Sequence, residues 1–186
     1  MFAHGSGSSR LSPRNTRVAA DLCTAGLATL LFDLLTPEEA SDRTLVFDIG
    51  LLAERLLMAT DWVVEEKCTS DLPIGYFGAS TGAAAALVAA ARSENKIAAV
   101  VSRGGRPDLA LNALPGVRAP TLLIVGGDDT EVIELNRQAQ AGLVCENSLE
   151  IVPGAGHLFE EPGTLDTVVA LARSWFLAHL CKEGMP

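Results

Sequence analysis

The stretch Leu72-Pro73-Ile74-Gly75-Tyr76-Phe77-Gly78-Ala79-Ser80-Thr81-Gly82 runs from a short apolar segment into a Gly-Ala-Ser-Thr-Gly turn, and an alanine-rich segment reaching Arg92 follows it. An apolar run of this length reads as a buried strand, and the alanines read as a helix whose small side chains let it lie close to a sheet. Glycines two before and two after Ser80 remove the side chains that would collide at a sharp strand-to-helix turn. Such a turn holds a serine hydroxyl out toward a ligand, so Ser80 is a candidate nucleophile.

The same alternation continues in both directions. Upstream, Ser12 and Pro13 read as N-cap and first residue of a helix over 13–25, with Val18, Leu22 and Ala25 on one face and Gly26 as its stop. Leu27 to Phe32 predicts a strand buried on both faces, and the turn-rich segment 33–42 after it can line a pocket. Ile49, Leu52, Ala53, Leu56, Thr60, Val63 and Val64 recur at helical spacing, predicting one long helix over most of 43–67. Downstream, strands are expected at 97–102, 121–125 and 149–152, with a helix at 131–141 between the last two. A closing helix starts near Pro162 and carries Leu165, Val168, Val169, Ala172, Trp175, Phe176 and Leu180 toward the sheet. Helices and strands in alternation predict an α/β fold with a mostly parallel sheet flanked by helices.

A chain of 186 residues fits one domain. Its 48% hydrophobic content excludes disorder, while no apolar run is long enough for a membrane helix. The net charge of −9 argues against a nucleic-acid partner, which requires a basic stripe. Cys23, Cys68, Cys145 and Cys181 lack CxxC spacing and read as reduced, buried packing residues of a cytoplasmic protein. The three histidines show no ligand spacing, so no metal and no cofactor are expected. Nothing in the composition decides between a monomer and a homodimer.

In a parallel sheet, loops leaving the carboxyl ends of strands gather on one edge. Four polar loops fall there: His4-Gly5-Ser6-Gly7, the Ser80 turn, Gly126-Gly127-Asp128-Asp129 and Gly154-Ala155-Gly156-His157. A serine hydroxyl needs a base, and His157 can take its proton if a carboxylate orients the imidazole. Asp128 and Asp129 both stand where that carboxylate is required, and the order Ser, Asp, His is the order of an α/β-hydrolase triad. Backbone N–H groups of Thr81, which follows the nucleophile, and of Ser6, in the glycine-rich loop, are the candidate oxyanion donors.

With those residues in place, the chain resembles the α/β-hydrolase superfamily and, within it, the dienelactone-hydrolase-like branch. The resemblance rests on HGSGSS at 4–9, GASTG at 78–82, VSRGGRPD at 101–108, LLIVGGDD at 122–129 and GHLFEEPG at 156–163, and it covers nearly the whole chain. It implies a serine esterase acting on a small-molecule ester or lactone and places the triad acid at Asp129, while the acidic charge and the lack of a membrane-length apolar run leave no nucleic-acid or membrane partner expected. Dienelactone hydrolases proper use a cysteine nucleophile, so Ser80 points to general carboxylic-ester hydrolysis. The family's first two strands have no counterpart here, which implies an N-terminally incomplete α/β-hydrolase domain over 1–186.

Other polar residues have simpler uses. Asp128 and Glu131 are spaced as a capping box for the next helix. Arg103 and Arg106 could bind a substrate carboxylate, although Arg106 and Asp108 are also spaced to pair with each other. Arg10 and Arg14 stand in the same position. His4 reads as structural, His179 as part of the last helix, and Trp62 and Trp175 as core or helix-sheet contacts. A non-catalytic module binding a small molecule or protein through the same cleft is the competing function, since fold alone does not decide activity. A phosphate cradle at 5–9 is disfavoured by the missing Gly-Lys-Ser/Thr ending.

Overall fold

A computed structural model describes residues 1–181. In chain order its elements are β1 (Phe2–Ala3), α1 (Pro13–Thr24), α2 (Arg43–Val46), α3 (Ile49–Glu65), β2 (Ile74–Ala79), α4 (Thr81–Arg92), β3 (Ile97–Arg103), β4 (Thr121–Gly126), α5 (Thr130–Gly142), β5 (Asn147–Val152) and α6 (Thr164–Leu180). Five strands form a sheet in the order β1-β2-β3-β4-β5, every pair parallel. Parallel neighbours need crossovers that place helices on both faces, and β2 and β4 are accordingly buried along their whole length.

Two apolar layers hold the helices to the sheet. On one face Leu52, Leu56 and Val63 of α3, the alanines of α4 and Ala139 of α5 meet Tyr76, Val100 and Leu123. On the other, Val18 and Leu22 of α1 and Val168, Ala172 and Phe176 of α6 meet Phe77, Ala99, Val101 and Ile124. The local signals explain the ends. Ser12 accepts from the Asn15 N–H at 3.4 Å and Pro13 opens α1, while Gly26, at φ +85°, follows its end.

Three expectations from the sequence are corrected. Segment 27–32 is not a strand buried on both faces; it is half-buried and makes a single bridge, Leu31 to Phe2, because its only neighbour β1 is two residues long. The helix expected over most of 43–67 is present as α3, whose start is set at Ile49 because the Asp48 carboxylate accepts from the Leu51 N–H at 3.0 Å, leaving 43–46 as the separate turn α2. Cys23, Cys68 and Cys181 are exposed and Cys145 is half-buried, as three of them lie at or beyond helix ends rather than on core-facing stripes. Trp62 points outward, 55% exposed, while Trp175 is half-buried and donates its indole N–H to the Pro120 carbonyl at 3.3 Å.

The start of α4 passes so close to β1 that a Cβ on Gly82 would lie 2.2 Å from the Ala3 carbonyl oxygen and 2.5 Å from that of His4. Both obstacles are backbone, so neither swings aside. Gly82→Val therefore separates α4 from β1, with an expected loss of about 3 kcal/mol from overpacking. In a thermal melt this is a fall of about 6–12 °C for a chain of this size.

Candidate active site

Ser80 sits between β2 and α4 at φ +51° and ψ −119°, a left-handed conformation that costs a non-glycine residue about 1–3 kcal/mol. The flanking glycines make it sterically accessible: a Cβ on Gly78 would meet the Ala83 backbone at 2.4 Å, and Gly82 abuts Ala3 as described. Backbone bonds pin the turn, since the Ser80 N–H donates to the Arg103 carbonyl and the Arg106 N–H donates to the Ser80 carbonyl, each at 3.2 Å.

Loops after β4 and β5 bring the other polar groups to the same edge. His157 Nε2 lies 3.3 Å from Ser80 Oγ, and His157 Nδ1 lies 2.6 Å from Asp129 Oδ2. A carboxylate only accepts, so the proton belongs on Nδ1 and leaves Nε2 with a free lone pair facing the serine. Gly126 permits this approach: a Cβ there would lie 2.3 Å from the Ala155 carbonyl oxygen. The two loops are also joined by the Asp128 N–H donating to the Ala155 carbonyl at 3.0 Å.

The adjacent aspartates are separated by the structure. Asp129, not Asp128, is the N-cap residue of α5, and its carboxylate is turned onto His157 instead of capping the helix. Asp128 is exposed and precedes the cap, so the capping box read from Asp128 and Glu131 does not form.

Thr81 N–H is the first amide of α4, one of the donors that a helix leaves unpaired at its N terminus, where the helix dipole also favours negative charge. Gly5 lies against the elbow, where an added Cβ would be 3.0 Å from Ser80 Cβ. The next residue, Ser6, donates its N–H to Thr81 Oγ1 at 2.9 Å. That hydroxyl ties the glycine-rich loop to the start of α4, and sequence reading missed it because the turn pattern does not fix this residue type. His4 is structural: its Nε2 accepts from the Leu34 N–H at 3.1 Å.

The arginines separate as well. Arg106 grips Asp108 with two bonds of 2.8 Å, and Arg10 is paired with Asp33. Arg14 bonds Glu160 at 2.9 Å. Arg103 is buried at the end of β3, and among the described residues its side chain hydrogen-bonds only to the Asn15 carboxamide oxygen, at 3.5 Å. Burial, with a smaller contribution from the Arg14 charge, pushes its pKa down to about 10. Arg103 and Arg106 are thus brought to the elbow by their backbones, while their side chains are directed into the core and onto Asp108. His179 lies 3.7 Å from Glu146 and its ring meets that of Trp175 at a tilt of 58°, remote from the elbow in the last helix.

A cleft of about 340 Å³ opens beside the elbow between the loop 4–9 and segment 33–52, with Ser6 and Thr81 in its wall. A second cleft, about 550 Å³, lies between β1, segment 26–30 and the end of α6. Among the described residues, no helix is long and apolar enough to cross a membrane.

The parallel sheet and its helices define an α/β-hydrolase-like fold, which matches solved structures of esterases. One of them, Est1E from Butyrivibrio proteoclasticus, is 16% identical with a TM-score of 0.82, covering 97% of this chain and 87% of that one. The sequence model of the dienelactone hydrolase family matches residues 15–177, and the chain belongs to that family. A crystal structure of a dienelactone hydrolase from Anabaena variabilis is 61% identical with a TM-score of 0.93, covering 96% of this chain and 85% of that one. Proteins of two Mycobacterium tuberculosis strains, provisionally named phosphoribosyl transferases, are 62% identical over 184 residues. That alignment takes in 99% of this chain and 42% of theirs, so the chain spans less than half the length of these relatives.

Proposed function

We propose that the chain is a serine hydrolase that cleaves small carboxylic esters or lactones through an acyl-enzyme on Ser80. The observation that carries this reading is the continuous relay from Ser80 Oγ through His157 to Asp129, built on a strained elbow. His157 Nε2 takes the hydroxyl proton as Ser80 Oγ attacks the carbonyl carbon, and Asp129 stabilises the imidazolium that forms. The negative charge moves to the substrate oxygen, which receives the Thr81 N–H and takes over the Ser6 N–H from Thr81 Oγ1. As the tetrahedral intermediate collapses, His157 returns the proton to the departing alkoxide. A water then loses its proton to His157, attacks the acyl carbon, and releases the acid while Ser80 recovers its proton.

The hydrolase family and its esterase-like fold support hydrolytic chemistry, and a serine rather than a cysteine at the elbow favours general ester cleavage. The transferase name of the mycobacterial relatives applies to proteins of more than twice this length. The reading assigned to this chain is confined to the chemistry of its own elbow.

A fluorophosphonate probe tests the assignment. The expected result is a single covalent adduct on the peptide carrying Ser80, together with hydrolysis of a short-chain nitrophenyl ester. A folded protein that takes up no probe and turns over no ester would instead be a binding module on the same fold.

A further inference from the structure

We infer that the cleft between the loop 4–9 and segment 33–52 is the acyl pocket of this site and takes an uncharged aliphatic acyl group. The inference rests on the ester-hydrolase reading of Ser80 and names the half of the substrate that this cleft selects.

The side of the scissile bond follows from proton transfer. The carbon attacked by Ser80 carries the oxyanion, the acyl chain and the leaving oxygen. The leaving oxygen must face His157 Nε2, because that atom returns the proton to it. The cleft shares Ser6 and Thr81 with the oxyanion position, yet no residue of the His157 loop, 153–163, lines it. It therefore receives the remaining substituent, the acyl chain.

The chemistry of the wall sets the class. Leu35, Pro37, Ala40, Val46 and Leu52 give it an apolar surface, and Leu35 and Leu52 are core residues, 8% and 3% exposed. Its volume of about 340 Å³ is at the small end of ligand pockets, which run from roughly 300 to 1,000 Å³. Among the described residues only two ionisable side chains line it, and both are engaged. His4 Nε2 accepts from the Leu34 N–H, which requires the neutral ring. Asp33 accepts from the Arg10 backbone N–H at 2.7 Å and from the Arg10 guanidinium. Among the described residues no lysine or arginine side chain lines the cleft, so an anionic acyl group would find a carboxylate and no unpaired cation there.

Nitrophenyl esters of increasing acyl length test this on the unaltered protein. Each buried methylene is expected to raise kcat/KM by about fourfold, so butanoate exceeds acetate by about sixteenfold, and the rise ends once the cleft is full. The glutarate half-ester, with a carboxylate at its end, is expected to fall far below hexanoate. Ala40 is exposed in a short turn, so Ala40→Phe can narrow the cleft without entering the core. It is expected to lower the hexanoate-to-acetate ratio at least fivefold. A flat or falling chain-length profile, an equal rate for the glutarate half-ester, or an unchanged ratio in Ala40→Phe overturns the acyl-pocket inference. Fluorophosphonate labelling of Ser80 separates the two failures: labelling with a flat profile removes only the pocket assignment, whereas absent labelling and turnover remove the hydrolase reading beneath it.

Discussion

Ser80→Ala is expected to lower kcat for a short-chain nitrophenyl ester by about 10⁴–10⁶-fold. The size follows from the chemistry. Without Oγ no acyl-enzyme forms, and His157 has no hydroxyl to deprotonate; the expected remaining rate comes only from substrate binding and the oxyanion donors proposed at Thr81 and Ser6. Stability should move the other way or not at all. The left-handed backbone at φ +51° remains, and the substitution removes one half-buried hydroxyl whose contact at 3.3 Å is long. A melting temperature within a few degrees of the parent, with turnover at background and no probe adduct, is the expected pattern. Persistent turnover by the pure, folded Ser80→Ala protein would place the chemistry elsewhere. Replacing His157 with glutamine should produce a loss of similar order, because the serine and its base act as one unit and their effects do not add.

The residues legible before the structure were those whose local chemistry has few alternatives. The strands β2, β3 and β4 are buried on both faces, so their apolar runs were readable without knowing their neighbours. The elbow was readable because glycine is required where α4 backs onto Ala3 and where Gly78 meets Ala83. The turn-rich segment 33–42 could be assigned to a pocket, and its residues do line the cleft beside Ser6.

What remained hidden depended on contacts that residue type and periodicity do not specify. Segment 27–32 has the composition of a strand but pairs only through Leu31, because pairing is a property of the neighbour as much as of the segment. The periodic residues of the helix expected over most of 43–67 begin at Ile49, where α3 does begin, and only the Asp48 side chain, bonded to the Leu51 N–H, fixes that start. Arg103 and Arg106 are three residues apart and indistinguishable by type. The spacing of Arg106 and Asp108 allowed their pairing to be read, and only the fold shows that it forms and that Arg103 is instead buried near Asn15.

Asp128 and Asp129 provide the sharpest separation that sequence could not make from residue type. Asp129→Asn is expected to lower kcat/KM by about 10⁴-fold, whereas Asp128→Asn should remain within about threefold of the parent. An asparagine at 129 preserves shape but offers either a neutral oxygen or an amide donor to His157 Nδ1. A donating amide forces the ring proton onto Nε2, the atom that must accept from Ser80, and a neutral oxygen no longer stabilises the imidazolium. The 2.6 Å contact to Oδ2 makes the site sensitive to this change. Asp128 contributes its backbone N–H to the Ala155 carbonyl, a bond that asparagine retains, and its exposed side chain caps no helix. The pH profile distinguishes a catalytic loss from a loosened loop. If the charge of Asp129 sustains the imidazolium, the Asp129→Asn protein should regain part of its rate as hydroxide replaces the missing base at alkaline pH, while a merely structural defect would lower the profile evenly. Equal losses from the two asparagine variants would show that the loop, rather than the one carboxylate, governs His157.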